Sequence, residues 1–301
     1  MKRILMHFIT FFHPSSKTMQ LGVIDKGFVY PFSVAFKSEI PYIYTDINVF
    51  IAHHTQEMLE SLRQVSIHKP LCALDCVELL APLPYPKQDV ICLGINYLEH
   101  AKESARFKNE VFNEKREEAV YFSKRVSKAI ATNTKIPAHT DLTSQLDYEV
   151  ELGVILGHDA YKVPKDKALE YVFGYTIIND ISARDLQQKH KQWYAGKSLE
   201  GSLPMGPCIV SADSLDPQNL SIKSYVNGEL RQNSHTSLMI CDVASAISEL
   251  SYYFKLQAGS ILSMGTPSGV GMGFTPPKFL KSGDEVRCEI EGIGVLCNVV
   301  E

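Results

Sequence analysis

The sequence has no excess of basic residues, no paired cysteine motif and no long apolar run. Its 301 residues carry 30 Lys and Arg against 34 Asp and Glu, a formal net charge of −4. Because such a chain offers no basic surface to a phosphate backbone, we do not expect nucleic acid as a partner. No run approaches the roughly 18 apolar residues of a membrane-spanning helix, so we expect no membrane span.

The seven cysteines are scattered and form no C-x-x-C pair. This pattern indicates neither a disulfide framework nor a zinc site, and it predicts free thiols in a reducing compartment, the cytoplasm. The first residues, with Lys2 and Arg3 before an apolar stretch, look like a signal peptide. However, His7 interrupts the stretch and no small-residue cleavage site follows, so we predict a first β-strand there.

The composition, with 45% hydrophobic and 21% charged residues, is that of a globular protein, and the length allows about two domains. Residues 1–85 are predicted to form a small α+β N-terminal domain, with strands at 4–11, 21–24 and 28–32 and a helix at 45–65. Residues 81–86 hold three prolines and are interpreted as a linker. Residues 86–301 are predicted to form a second domain.

Residues 86–301 are rich in predicted strands, at 89–93, 119–122, 147–156, 171–179, 207–210, 221–226 and 261–264. Two hairpins follow from the Asn227-Gly228 pair and from residues 285–300. Helices are fewer, at 98–105, 182–191 and 243–253. The strands do not alternate with helices, so the fold class is predicted as α+β and β-rich.

Two acidic segments indicate a metal site. Residues two apart on a strand share a face, so Glu149, Glu151 and Asp147 should point the same way. A solvent-facing acidic stripe is the alternative for this segment alone. Asp180, however, ends a very apolar strand, and clustered buried carboxylates repel one another unless a cation joins them. Oxygen ligands of this kind suit Mg²⁺ or Mn²⁺.

The next segments carry polar side chains at helical spacing. Arg184 and Gln187 lie three apart and could clamp a substrate carboxylate, or could lie on a surface helix. Lys197 could stabilise an enolate near a metal, or be a surface residue. His100 and Glu103, also three apart, could form a general base or an ordinary ion pair. The charged residues 102–118 could be a solvated stretch or a lid.

A glycine-rich segment, Gly265-Thr266-Pro267-Ser268-Gly269-Val270-Gly271, follows a predicted strand. It lacks the Gly-Lys-Ser/Thr of a phosphate-binding loop, and no βαβ unit surrounds it. Its glycines would let backbone N–H groups approach an anion closely, whereas a plain turn is the alternative.

Taken together and in this order, the motifs resemble those of the fumarylacetoacetate hydrolase superfamily. They are G-x-N-Y-x-x-H-x-x-E, D-Y-E-x-E-L, N-D-x-S-A-R-D-x-Q, G-K-S and G-T-P-S-G-V-G, and they extend from about residue 90 to residue 301. The resemblance implies a mixed β-roll, a homodimer and a variable N-terminal domain. The run Phe122-Ser123-Lys124-Arg125 departs from the family's F-x-K-P by placing Arg125 at the proline position, which would add a positive charge near the pocket entrance.

The resemblance implies a role for each motif residue. The metal, Mg²⁺ or Mn²⁺, would bind Glu149, Glu151 and Asp180, and Lys197 would stabilise an enolate. His100 and Glu103 would activate water. The residues implied to contact the substrate are Arg184, Gln187, Gly265 and Thr266.

The implied activity is metal-dependent cleavage of a C–C bond in a small 2-oxo acid such as an acylpyruvate or a fumarylacetoacetate-like compound. Decarboxylation of oxaloacetate and isomerisation of a 2-hydroxyhepta-2,4-diene-1,7-dioate would use the same enolate chemistry and stay open. A binding or regulatory module without turnover is the alternative from a different class.

Overall fold

The fold is described from a computed structural model over residues 5–108 and 118–301. Within these residues the strands, in chain order, are β1 (His7–Phe12), β2 (Met19–Asp25), β3 (Phe28–Pro31), β4 (Cys72–Ala73), β5 (Glu78–Leu79), β6 (Val90–Gly94), β7 (Val120–Lys124), β8 (Lys135–Ile136), β9 (Leu146–Asp147), β10 (Val150–Leu156), β11 (Val172–Asn179), β12 (Ser182–Ala183), β13 (Met205–Ser211), β14 (Ser221–Val226), β15 (Glu229–His235), β16 (Ile261–Ser263), β17 (Glu285–Ile290) and β18 (Gly294–Val300). The α-helices are α1 (Phe32–Ala35), α2 (Ile47–His53), α3 (Gln56–Arg63), α4 (Leu98–Lys108), α5 (Arg184–Lys189), α6 (Tyr194–Lys197) and α7 (Val243–Tyr253).

One large sheet and one smaller sheet organise the chain. The large sheet has the order β4-β3-β2-β1-β13-β11-β10-β16-β6-β7, with β5 paired to β1 at the side. The smaller sheet has the order β15-β14-β17-β18-β8, and β9 and β12 form a separate pair. Pairing is antiparallel except between β16 and β6 and between β18 and β8. This architecture confirms the predicted α+β, strand-rich fold.

The centre of the large sheet is buried on both faces. Every residue of β10 and of β11 is buried, which explains why these segments are continuous apolar runs in the sequence. On β10, Leu152 and Val154 enter the same hydrophobic cluster as residues of the smaller sheet and α7. Ile155 enters a second cluster with the aromatic residues of the N-terminal segment. The end of this central pair therefore provides a rigid base for polar side chains.

The N-terminal segment joins the large sheet directly. His7 of β1 pairs with Val210 of β13. The proline-rich segment expected as a linker is held in place, since the Pro84 carbonyl accepts a hydrogen bond from the Ala129 N–H at 2.9 Å and the Pro82 carbonyl accepts one from Thr10 Oγ1 at 2.8 Å. The division into residues 1–85 and 86–301 stays a prediction, and the sheet runs across it.

Two predicted elements are divided in the structure. The helix predicted at 45–65 is formed by α2 and α3, because His54 adopts an extended backbone (ψ 147°) and Thr55 caps α3 by accepting from the Met58 N–H. The strand predicted at 147–156 is interrupted between β9 and β10. The charged stretch predicted at 102–118 begins in α4, and residues 109–117 lie outside the described part of the chain.

No helix in the described part of the chain is long and apolar enough to cross a membrane.

Candidate active site

Three buried carboxylates meet where β10 and β11 adjoin. Glu151 lies on β10, Asp180 follows the last residue of β11, and Glu149 lies in the interruption before β10. Two hydrogen bonds fix this junction: the Asp180 N–H donates to the Glu149 carbonyl at 2.8 Å, and the Glu149 N–H donates to Asn179 Oδ1 at 3.0 Å. One carboxylate oxygen from each of the three residues lies within 4.8 Å of the others.

A lysine ammonium lies between two of these carboxylates. Lys197 Nζ on α6 is 2.6 Å from Glu149 Oε2 and 2.6 Å from Asp180 Oδ2. Burial opposes ionisation of Glu149, but the charges of Lys197 and Arg184 hold the pKa of Glu149 below its ordinary value. Burial and the nearby charges of Asp180 and Glu149 raise the pKa of Glu151 well above its ordinary value. Glu151 is therefore the carboxylate whose negative charge is least compensated by nearby cations.

The donor set fits a hard divalent cation. The three clustered oxygens are all carboxylate oxygens, which Mg²⁺ and Mn²⁺ prefer. A cation beside Glu151 would counteract the burial and the repulsion that raise the pKa of this residue. Glu151 Oε2 is held in place by the Ser263 hydroxyl at 2.5 Å and the Gly265 N–H at 3.0 Å. These two donors orient the carboxylate, as supports around metal ligands do.

A second buried lysine supports the acidic cluster. Lys124 at the end of β7 is completely buried, and its Nζ is 2.7 Å from Asp180 Oδ1. The same ammonium donates to the Ile181 carbonyl at 2.9 Å and to the Lys197 carbonyl. Burial lowers the pKa of Lys124. Sequence reasoning did not assign Lys124 to the site, and named it only within the run that resembles the family's F-x-K-P motif.

Arg125 does not lie at the cavity. Its side chain is 69% exposed, and Nη1 is 3.2 Å from Asp89 Oδ1. The positive charge that the sequence suggested near the pocket entrance is therefore directed to a surface ion pair.

His100 and Glu103 form a buried pair on α4. His100 Nδ1 lies 2.9 Å from Glu103 Oε2. The other oxygen, Oε1, accepts the Gly269 N–H at 3.0 Å, which ties α4 to the glycine-rich loop. The backbone of Gly273 lies so close to the Glu103 side chain that a Cβ at position 273 would be 1.7 Å from Glu103 Oε1. Because Nδ1 faces the carboxylate, Nε2 is the nitrogen that can act on a ligand.

Asp147 does not share the position of the other acids, which corrects the expectation from strand alternation. Its Oδ1 accepts the Gly271 N–H at 2.6 Å, and its Oδ2 accepts the Met272 N–H at 3.0 Å. The backbone interruption after β9 turns Asp147 away from Glu149. Asp147 instead lies 2.9 Å from Arg184 Nε.

Arg184 and Gln187 lie together on α5, as their spacing predicts. Arg184 Nη1 is 2.6 Å from Glu149 Oε1 and 3.2 Å from Gln187 Oε1. Burial disfavours the guanidinium, but the charges of Glu149 and Asp147 raise the pKa of Arg184. Arg184 is therefore an ion-pair partner of two buried carboxylates, and Gln187 lines the cavity beside Arg184.

The two predicted residues of the glycine-rich loop have different surroundings. The Gly265 N–H donates to Glu151 Oε2, and Gly265 adopts φ +81°. Thr266 Oγ1 donates to the Val150 carbonyl at 3.0 Å and accepts from Gln232 Nε2 at 2.7 Å. Gln232, which sequence reasoning missed, thus fixes the Thr266 hydroxyl. Thr266 lines the cavity, whereas Gly265 supports a carboxylate.

Several of these groups line one cavity of about 430 Å³. Trp193, the single tryptophan, packs edge-on against Phe122 and leaves no room for a Cβ at Gly94. The polar and charged residues that line the cavity are His100, Ser104, Glu149, Glu151, Arg184, Gln187, Gln188, Lys191, Lys197 and Thr266. The cavity therefore combines a candidate cation site with a histidine and with cationic and hydrogen-bonding side chains.

Comparisons with known proteins relate this chain to one protein family. Residues 89–301 match the family model described as fumarylacetoacetate (FAA) hydrolase C-terminal. The chain is 44% identical over 229 residues to the oxaloacetate tautomerase YisK of Bacillus subtilis strain 168, a match that covers 76% of this chain and 74% of that protein.

Two solved structures extend the similarity. A fumarylacetoacetate hydrolase from psychrophilic Exiguobacterium antarcticum is 38% identical, with a TM-score of 0.83 and coverage of 98% of this chain and 99% of that chain. A fumarylpyruvate hydrolase from Pseudomonas aeruginosa, in complex with Mn²⁺ and pyruvate, is 29% identical, with a TM-score of 0.62 and coverage of 74% and 91%.

Proposed function

The chain belongs to the fumarylacetoacetate hydrolase family, and on that premise we propose that it is a divalent-metal-dependent enzyme that forms and protonates the enolate of a small 2-oxo acid. The observation that carries this proposal is one cavity with two parts. One part is lined by Glu149 and Glu151, which cluster with Asp180, and the other is lined by His100, which pairs with Glu103.

Among reactions of this type, we favour the interconversion of the enol and keto forms of oxaloacetate. The relative named as an oxaloacetate tautomerase is 44% identical, which supports this choice. The reaction moves one proton between carbon and oxygen and needs no positioned water. A base, a cation and anion-binding groups are sufficient, and the cavity contains candidates for each.

The residues act on the substrate in defined ways. Glu149, Glu151 and Asp180 would hold a divalent ion, Mg²⁺ or Mn²⁺, which supplies Lewis acidity at the 2-oxo group. His100 Nε2 removes or returns the proton at C3, while Glu103 stabilises the imidazolium that forms. Lys197 places a positive charge beside the developing enolate oxygen. Arg184 and Gln187 bind the substrate carboxylate.

Hydrolysis of an acylpyruvate is the second candidate. The His100–Glu103 pair at 2.9 Å favours it, because an imidazole oriented by a carboxylate can also take a proton from water. The water oxygen would bond to the distal carbonyl carbon, the C–C bond would break, and its electron pair would form the pyruvate enolate. The solved relative named fumarylpyruvate hydrolase, bound to Mn²⁺ and pyruvate, supports this alternative.

Product analysis by NMR separates the candidates. Protein with Mg²⁺ is given oxaloacetate or acetylpyruvate, each with an EDTA control. Accelerated enol–keto conversion without cleavage supports the tautomerase, acetate and pyruvate support the hydrolase, and CO₂ release from oxaloacetate supports a decarboxylase. Absence of metal-dependent turnover of either substrate would contradict the proposal and favour a binding module. A homodimer and a cytoplasmic location remain predictions.

A further inference from the structure

One nitrogen of the Arg184 guanidinium has no hydrogen-bond partner within residues 5–108 and 118–301. Nε pairs with Asp147 and Nη1 with Glu149 and Gln187, but Nη2 is buried and unpaired. Arg184 is 4% exposed and lines the cavity. A buried cationic N–H without an acceptor is unfavourable, so an anionic group of a bound ligand is the chemistry that satisfies it.

A second cation lines the cavity near solvent. Lys191 follows α5 with a left-handed backbone (φ +60°), and its N–H donates to the Gln188 carbonyl at 3.2 Å. Its side chain is exposed and lines the same cavity as Arg184. Over the described ranges, no carboxylate forms an ion pair with Lys191. Its charge is therefore available to a ligand that extends outward from the acidic cluster.

The charge balance of the site leaves the charge of Lys191 for a ligand. With His100 neutral, as a base requires, the five buried acids exceed the three buried cations by two, and a divalent ion makes this balance neutral. Lys191 then adds one positive charge at the cavity. The five acids are Glu103, Asp147, Glu149, Glu151 and Asp180, and the three buried cations are Lys124, Arg184 and Lys197.

We propose that Lys191 selects 2-oxo acids that carry a second carboxylate. The carboxylate beside the 2-oxo group accepts a hydrogen bond from Arg184 Nη2, and the distal carboxylate forms an ion pair with Lys191 Nζ. This inference rests on the proposed function, because it assumes a 2-oxo acid in the cavity. It deepens that function by making Lys191 the residue that distinguishes a dicarboxylate from a monocarboxylate of equal length.

Binding measurements test the inference without requiring turnover. Isothermal titration of the Mg²⁺-loaded protein compares 2-oxoglutarate with 2-oxovalerate, which have the same number of carbons and differ in the distal carboxylate. The Lys191→Met variant should bind 2-oxoglutarate at least about fivefold more weakly, the loss of one partly solvated ion pair, while 2-oxovalerate binding is unchanged. Lys191→Arg should retain the preference.

Lys189→Met is the matched control, because Lys189 is exposed at the end of α5, two residues before Lys191, but does not line the cavity. It should leave both affinities unchanged. Equal weakening of both ligands by Lys191→Met, or no change in either, would overturn the inference. If Lys191→Met selectively weakens binding of 2-oxoglutarate but the wild type turns over no 2-oxo acid, the role of Lys191 is supported and the proposed function is contradicted. Absence of binding of either ligand to the wild type would contradict both.

Discussion

Asp147 Oδ2 and Arg184 Nε lie 2.9 Å apart in a region closed to solvent. This ion pair connects two parts of the site. Asp147 also accepts the N–H groups of Gly271 and Met272, and Arg184 also pairs with Glu149. The glycine-rich loop and the candidate metal ligand are therefore held by one chain of charged contacts.

Replacement of Asp147 should destabilise the protein. In Asp147→Asn the buried guanidinium of Arg184 loses a charged partner, and breaking a buried pair costs roughly 3 kcal/mol or more of the free energy of unfolding. Urea denaturation measures this change. Asp166→Asn, at an exposed position, is the control and should change the free energy little. An Asp147→Asn variant as stable as the wild type would mean that this pair is not a structural connection.

Replacement of Glu151 should weaken metal binding without lowering the stability of the metal-free protein. Glu151→Gln removes one ligand, so Mn²⁺ should bind at least roughly tenfold more weakly, as ligand-shell changes do. The metal-free variant should be at least as stable as the wild type, because it no longer buries a carboxylate repelled by Asp180 and Glu149. Calorimetric titration with Mn²⁺ and thermal denaturation measure the two quantities.

The exposed Glu170→Gln substitution is the control for both measurements. Unchanged Mn²⁺ affinity in Glu151→Gln would remove Glu151 from the candidate metal ligands.

Replacement of His100 should reduce turnover strongly and leave metal binding intact. His100→Ala removes the candidate base but none of the three carboxylates, so kcat should fall by roughly 10²-fold or more. The Mn²⁺ affinity should equal that of the wild type. Steady-state kinetics and calorimetry test this pair of outcomes, and His53→Ala, at an exposed position, is the control. Full activity in His100→Ala would refute the assignment of the base.

The motifs predicted which residues meet, but not how they contact one another. Glu149, Glu151 and Asp180 were predicted from two strand ends, and these ends adjoin because β10 and β11 pair. Strand alternation failed at Asp147, since the backbone leaves the strand conformation directly after it. Lys124 was not assigned because no local pattern shows that a lysine will be buried against an acid far along the chain.

The elements were predicted better than their arrangement. Strand β14 and helix α7 have the predicted bounds, because both have clear apolar periodicity. The break between α2 and α3 was missed, although Thr55 is a favoured N-cap residue within the predicted helix. The pairing of β1 with β13 joins residues about 200 positions apart, and no local signal specifies such a contact.

Protonation of His54 should lower the free energy of unfolding as the pH falls. Burial, and to a lesser extent the nearby His158, lower the pKa of His54 below 6.5 in the folded state. The unfolded chain then binds more protons below about pH 6.5, so the free energy of unfolding decreases as the pH falls through that range. Urea denaturation at about pH 7.5 and about pH 5.5 measures the decrease.

His54→Phe keeps an aromatic ring against Phe50 and Phe173 and removes the titration. The decrease on acidification should be smaller in this variant, whereas it should persist in the exposed His53→Gln control. An identical decrease in His54→Phe and in the wild type would exclude His54 as its source.

The central claim is that this cavity catalyses metal-dependent proton transfer on a 2-oxo acid. Stopped-flow absorbance should follow the decay of the enol form of oxaloacetate after it is mixed with the protein. With Mg²⁺ the wild-type protein should accelerate the decay, and EDTA treatment, Glu149→Gln or His100→Ala should return it to the spontaneous rate. A decay that is equally fast with EDTA-treated protein, or that the Mg²⁺-loaded wild type does not accelerate, would contradict the claim.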